Sequence, residues 1–410
     1  DSVVTIGNGA FSGCSSLTDV TFNETSNLKT IGEYSFFGCI NLTNFKIPKS
    51  VTFIGDAAFM YCYKINVEIP QGLNSIEYRT FYACKSIITL EIPSNIKSIG
   101  TDAFHGCTNL ENVTLPKSLH YIKYQAFMSC SKLQKIEINS AVEEIESYAF
   151  NCCIALQKIK FLSSIKSISA YAFNGCSKLE EIQFSSTPES IDKIESYAFN
   201  NCTALQTIVF LSSIKFINKL AFNCCTGLKE IQFTSSVELI ESDAFNGCAS
   251  LQIVRFLSPI KSIKCHTFTG CSSLKEIQFS SVDSIETNAF DGCSSLEIVK
   301  FLSTIKSIKS NAFNSCSNLK EIQFSSSPDL IEIGSFTSCS SINVIFLSSV
   351  KFIKSNAFIG CSELKEIQFL SDLEFIVANA FKRCTSLLVV NFLSSVKYIG
   401  DHAFFECSSL

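Results

Sequence analysis

Ile92-Pro93-Ser94-Asn95-Ile96-Lys97-Ser98-Ile99-Gly100-Thr101-Asp102-Ala103-Phe104-His105-Gly106-Cys107-Thr108-Asn109-Leu110 is one copy of a unit that runs the length of the chain. Its frame is Ile-x4-Phe-x2-Cys-x2-Leu, carried here by Ile99, Phe104, Cys107 and Leu110. The frame recurs on eighteen Phe anchors, from Phe11 and Phe36 to Phe381 and Phe404. Every anchor has Ile five residues before it, Cys three after it, and Leu or Ile six after it. Anchors are 22, 23, 25 or 26 residues apart, most often 23. A fixed period in this range marks an array of stacked units, none of which can bury its apolar face alone.

Each rung can be read outward from its Phe. After the Leu, apolar residues alternate, as in Leu179, Ile182 and Phe184. A period of two marks a short strand with one buried face. Early rungs end this strand with Pro48, Pro70, Pro93 or Pro116, because proline cannot donate a ladder hydrogen bond. Later rungs use serine turns such as Phe161-Leu162-Ser163-Ser164. The Ala-Phe-x-x-Cys segment is too short for a full helix and predicts a helical or 3₁₀ turn. Eight rungs place Gly just before the Cys, a position suited to left-handed backbone.

Stacking these rungs predicts an α/β solenoid: a parallel β-sheet on one face, short helical or 3₁₀ turns on the other, curved as a right-handed superhelix. With strands about 4.8 Å apart, the sheet would run roughly 80 Å. The reading is one solenoid over 1–410 with no linker, divergent over 1–139 and built over 140–410 from an amplified two-rung unit of about 46 residues. Neither end carries a polar capping repeat, which predicts a piece of a longer protein.

The amplified region shows a second period. Seven residues before each Phe stand Glu143, Lys166, Asp192, Lys215, Glu238, Lys261, Asp283, Lys306, Asp329, Lys351, Glu374 and Lys397, alternating in sign at every rung. Neighbouring rungs bring equivalent residues within cross-strand reach, so the alternation replaces repulsion by attraction. Each exposed pair contributes only some tenths of a kcal/mol. A solubilising, register-fixing ladder is favoured over a ligand site, and Glu238, Lys261 and Asp283 are expected on one stripe.

Composition narrows the function. A net charge of −4 excludes the basic footprint of a nucleic-acid partner. No apolar run approaches a membrane span of about 18 residues. Of 21 cysteines, eighteen share one column and read as buried free thiols; Cys152, Cys224 and Cys265 lie outside it as the more exposed ones. The four histidines, at 105, 120, 266 and 402, are scattered and suggest no metal site. Gly7-Asn8-Gly9-Ala10-Phe11-Ser12-Gly13 lies on the repeat frame without a β-α-β unit, so it is no dinucleotide loop. No rung breaks the pattern to build a nucleophile and base. No catalytic group, metal or cofactor is therefore expected.

The unit from Ile92 to Leu110 resembles the BspA-like class of leucine-rich repeats, and the resemblance covers the whole chain. The resemblance implies a leucine-rich-repeat solenoid and an adhesion or recognition role at a cell surface or in secretion, with no catalytic constellation. Rungs from Phe161 onward replace the usual Ile-Pro and Ile-Gly ends with Phe-Leu-Ser-Ser and Ile-Lys or Ile-Glu.

The expected interaction face is the outward side of the strands. It comprises Glu181, Gln183, Thr207, Val209, Glu230, Gln232, Ile253, Arg255, Glu276, Gln278, Ile298, Lys300, Glu321 and Gln323, acidic-amide rungs alternating with apolar or basic ones. Val209, Ile253 and Ile298 are its exposed apolar candidates. The partner expected there is a protein or glycan, bound by a surface or secreted protein. The alternative is an intracellular structural scaffold, to which reduced thiols are suited. Sequons at Asn23, Asn41, Asn112 and Asn201 are compatible with secretion.

Overall fold

The structure is a computed structural model that describes residues 2–138, 142–162, 165–184, 191–210, 213–233, 235–325, 328, 330–342, 344–347, 350–369, 373–392 and 396–410. The chain falls into two compact units, 1–205 and 206–410. Each is a parallel-stranded solenoid, and most rungs make two short strands and a turn.

In the first unit, one ladder includes Asn112–Thr114, Lys135–Ile138, Lys158–Phe161 and Glu181–Gln183. Its register is equivalent-on-equivalent: Ile136 lies beside Ile159, and Ile159 beside Ile182. A second ladder is formed by the residues leading into the Ile of the frame, including Ser98–Ile99, Tyr121–Ile122, Glu144–Ile145 and Ser167–Ile168. Sequence reading anticipated the first ladder and left the second unassigned. The second unit repeats the arrangement, with Glu230–Phe233, Ile253–Phe256, Glu276–Phe279 and Ile298–Phe301 in one ladder. Val282–Ile285, Ser307–Ile308 and Leu330–Ile331 belong to the other.

The core is columnar. Phe81, Phe104 and Phe127 stack with ring centroids 5.5 and 5.3 Å apart and planes within 11°. Phe290 and Phe313 in the second unit stack at 5.1 Å and 2°. These are offset-stacked distances, and all five rings are fully buried. Beside the rings runs the thiol column. Cys107 donates to the Phe81 carbonyl at 3.3 Å and Cys130 to that of Phe104 at 3.2 Å, one rung back each time.

The expected helical or 3₁₀ turn is not formed: no helix occurs among the described residues. Two left-handed residues per rung prevent it. In the Phe104 rung they are Asp102, at φ 57°, and Gly106, at φ 73°. With a left-handed residue two places before and two places after each Phe, every second N–H of the turn points out of the rung. Asp102, Phe104 and Gly106 donate to the next rung's Tyr124, Ala126 and Met128 carbonyls at 2.8–2.9 Å. Ala103, His105 and Cys107 close turns inside the rung, onto Gly100, Asp102 and Phe104 at 3.2 Å. A helix would satisfy these groups internally, four residues back; here half of them cement one rung to its neighbour. The glycines before the Cys do take left-handed φ, as their placement suggested.

Candidate interaction face

Register assembles the candidate face. In the second unit, Thr207, Glu230, Ile253, Glu276, Ile298 and Glu321 form one column of laterally adjacent residues. Val209, Gln232, Arg255, Gln278, Lys300 and Gln323 form the column beside it. Glu181 and Gln183 hold the corresponding places in the first unit, next to Lys158 and Lys160. All fourteen side chains are exposed or half-buried, whereas the residues between them face the core. Strict alternation along the pleat produces this separation.

The two-rung period gives the face a striped chemistry. Ile253, Arg255 and Leu257 stand in one rung, Glu276 and Gln278 in the next, and Ile298, Lys300 and Leu302 in the one after. Ion pairs join the stripes: Arg255 to Glu230 at 3.2 Å, Lys300 to Glu276 at 2.5 Å, and in the first unit Lys158 to Glu181 at 3.1 Å. Val209, Ile253 and Ile298 are the apolar groups expected on this face. Val209 and Ile253 are 37% and 36% exposed, while Ile298 is half-buried. Leu257 and Leu302, 59% and 56% exposed, were missed. They follow the last core Phe of their strands, and one more step of the period-two count would have placed them outward. A depression of about 490 Å³ is lined by Ile253, Arg255, Leu257, Lys275, Glu276 and Gln278.

The charge column behaves as a ladder. Lys166 pairs with Glu143 at 2.9 Å, Lys306 with Asp283 at 3.2 Å, and Lys397 with Glu374 at 2.7 Å. Glu143 is held below the ordinary carboxylate range by its hydrogen bond to Lys166. Ile260 lies beside Val282, and Ser262 beside Ser284, which sets Lys261 next to Asp283. Glu238 holds the same second place in Val237–Ile240, the strand packed against Ile260–Ile263. Asp329 lies outside the described residues.

The thiols carry no disulfide. Burial pushes Cys39 up to about 11, and Cys62 and Cys107 up to about 12, so these thiols stay protonated and unreactive. Cys152, Cys224 and Cys265 are half-buried and stand outside that column, as expected; Cys14 is the exposed member of it. Three of the sequon asparagines, Asn23, Asn112 and Asn201, are exposed, whereas the Asn41 amide donates to the Ser15 carbonyl at 2.9 Å. His105 departs from the reading of scattered surface histidines: it is half-buried, with Nδ1 2.8 Å from Asp102 Oδ1. Among the described residues no cluster of His, Cys, Asp or Glu is arranged to hold a metal, and no helix is long and apolar enough to cross a membrane.

The frame of Ile, Phe, Cys and Leu matches the family model described as BspA type Leucine rich repeat region, over residues 1–111, 97–225, 192–303 and 283–410. The chain belongs to the BspA-type leucine-rich repeat family. A search of curated proteins finds no match. Among solved structures, this BspA-type chain is similar to a leucine-rich repeat protein from Bacteroides ovatus, at 25% identity over 93% of this chain and 91% of that one, with a TM-score of 0.59. It is also similar to a leucine rich cell surface protein from Faecalibacterium prausnitzii, at 25% identity over 79% of this chain and 84% of that one, with a TM-score of 0.41. BspA-type repeats build a leucine-rich-repeat fold, the architecture found here.

Proposed function

We propose that this chain is a non-enzymatic interaction scaffold, at the cell surface or secreted, that binds a protein or glycan partner through the sheet face of 206–410. The observation that carries the reading is the registered array of exposed apolar and paired polar residues around Ile253, Arg255, Leu257, Glu276 and Gln278. Exposed apolar groups rimmed by polar ones are what a partner desolvates most profitably. The surface assignment comes from the resemblance and is supported by the exposed sequons. An intracellular scaffold is the second reading, favoured by cysteines that form no disulfide.

The test is binding of the full chain to a panel of extracellular-matrix proteins and glycans. Ile253→Glu with Leu257→Glu should weaken the selected ligand at least about tenfold, as loss of an apolar anchor pair does. An undiminished affinity would remove the sheet face from the reading. Mass spectrometry of the native protein separates the two compartments. Glycans on Asn23, Asn112 or Asn201 support export, whereas bare sequons with every thiol reduced support the intracellular scaffold.

A further inference from the structure

A different surface of the first unit, on its turns, carries a cluster that the sheet-face reading does not use. Asp102 is buried, its side chain only 4% exposed, and both its oxygens are engaged. Arg79 Nε lies 3.0 Å from Oδ2 and His105 Nδ1 lies 2.8 Å from Oδ1. This fixes the Arg79 guanidinium by one edge. Its ring-facing surface rests on Tyr78 at 4.7 Å and Tyr82 at 5.6 Å from the centroids. Among the described residues the two Nη groups have no acceptor, and the side chain is 38% exposed.

The cluster extends through rings. Tyr82 meets His105 at 4.7 Å and Tyr61 at 5.5 Å, and Tyr61 meets Tyr63 at 6.1 Å. Lys85 Nζ lies over the Tyr63 ring at 4.7 Å and makes no ion pair among the described residues. Two cations are thus held on tyrosine faces, and the acid that pairs with Arg79, Asp102, is buried.

We propose that this turn surface is a second docking site, for an acidic segment of a protein partner whose carboxylate takes the free edge of Arg79. A guanidinium with one edge fixed presents its remaining N–H groups in the fork that matches a carboxylate. Held on aromatic faces, Arg79 and Lys85 lose less side-chain freedom on binding than free surface cations do. Tyrosine and arginine in contact are also the commonest anchors of protein interfaces. A carbohydrate fits less well. Sugar stacking needs an open ring face, whereas Tyr61 meets Tyr63 and Tyr82 edge-on at 62° and 84°, and the faces of Tyr63 and Tyr78 carry cations. This site is independent of the sheet face, and either can fail without the other.

The chain has no Trp, and four of its 11 Tyr, Tyr61, Tyr63, Tyr78 and Tyr82, lie in the cluster, so tyrosine emission carries its signal. The full chain is titrated at low salt with a synthetic Asp/Glu-rich peptide free of aromatic residues, and in parallel with a Lys-rich peptide and with heparin. The acidic peptide should give a saturable change in emission that the Lys-rich peptide does not. Lys85→Glu, an exposed change that leaves the fold intact, and Arg79→Lys, which keeps the charge but loses the fork, should each weaken it at least about tenfold. Ile253→Glu should leave it unchanged. The proposal is overturned by an acidic peptide that does not bind, by undiminished binding in Lys85→Glu, or by heparin binding more tightly than the peptide, which would assign the surface to an acidic glycan.

Discussion

The two units run the same backbone through different side chains, and the contrast is sharpest two residues before each anchor Phe, where φ is positive in every rung. In the first unit these residues are Gly9, Tyr34, Ala57, Arg79, Asp102, Gln125, Tyr148, Tyr171 and Tyr197. In the second they are Leu220, Asp243, His266, Asn288, Asn311, Gly334, Asn356, Asn379 and His402. Gly, Asn, Asp and His adopt left-handed backbone most readily. They fill eight of the second unit's nine places and two of the first unit's nine. Left-handed backbone costs other residues about 1–2 kcal/mol each. The first unit accepts that strain and gains an aromatic, cationic turn surface. The second relieves it, and its distinctive chemistry lies on the sheet.

The comparison can be broken first at the feature the units share. Phe104→Ala and Phe290→Ala each leave a void between fully buried stacked rings, and each should cost about 3–5 kcal/mol in denaturant unfolding. Similar losses would mean that the units differ only at the surface; a several-fold disparity would mean that the columns themselves are unequal.

A reciprocal exchange at the left-handed position sharpens the contrast directly. Gln125→Asn should stabilise by up to about 1 kcal/mol, and Asn379→Gln should destabilise by about as much. Unfolding midpoints of the two variants moving in the same direction would contradict the strain account.

The smallest effect belongs to the charge ladder. Lys306→Ala removes the exposed pair with Asp283 and should cost only some tenths of a kcal/mol, less at high salt. Removing Lys166 beside Glu143, in the first unit, should cost no more. A loss above about 1 kcal/mol at either place would give the ladder a structural weight it is not expected to have.

Much of this was legible beforehand. Ile99, Phe104, Cys107 and Leu110 announce their burial by recurrence, and all four are fully buried. Glu276 and Gln278 announce their outward direction by alternation with Ile277 and Phe279. The turn was misread for a physical reason. In the second unit Asn, Asp, His and Gly mark the left-handed place, but in the first Tyr148, Gln125 and Arg79 adopt it because hydrogen bonds to the next rung hold them there. In the first unit that constraint is set by stacking and leaves little mark on residue type. The Arg79 cluster left no signal in the sequence because its members lie on several rungs and none of them is a residue type that the repeat conserves at its place. Tyr82 and His105 hold the same place one rung apart, as do Arg79 and Asp102, but the residue type changes from rung to rung, and a search for recurring residues passes over them.

The alternating charge column also constrains how such a gene can grow. Every rung sees only its neighbours, through a Cys-to-carbonyl bond, the turn hydrogen bonds and the ladders, so a whole inserted rung would satisfy the backbone equally well anywhere. The side chains impose a stricter arithmetic. Two added rungs keep Asp283 beside Lys306 and Glu276 beside Ile298, while a single added rung sets like beside like in every alternating column at once. Length can therefore change cheaply by even numbers and is penalised at odd ones, a parity rule written into the surface of an otherwise indifferent stack.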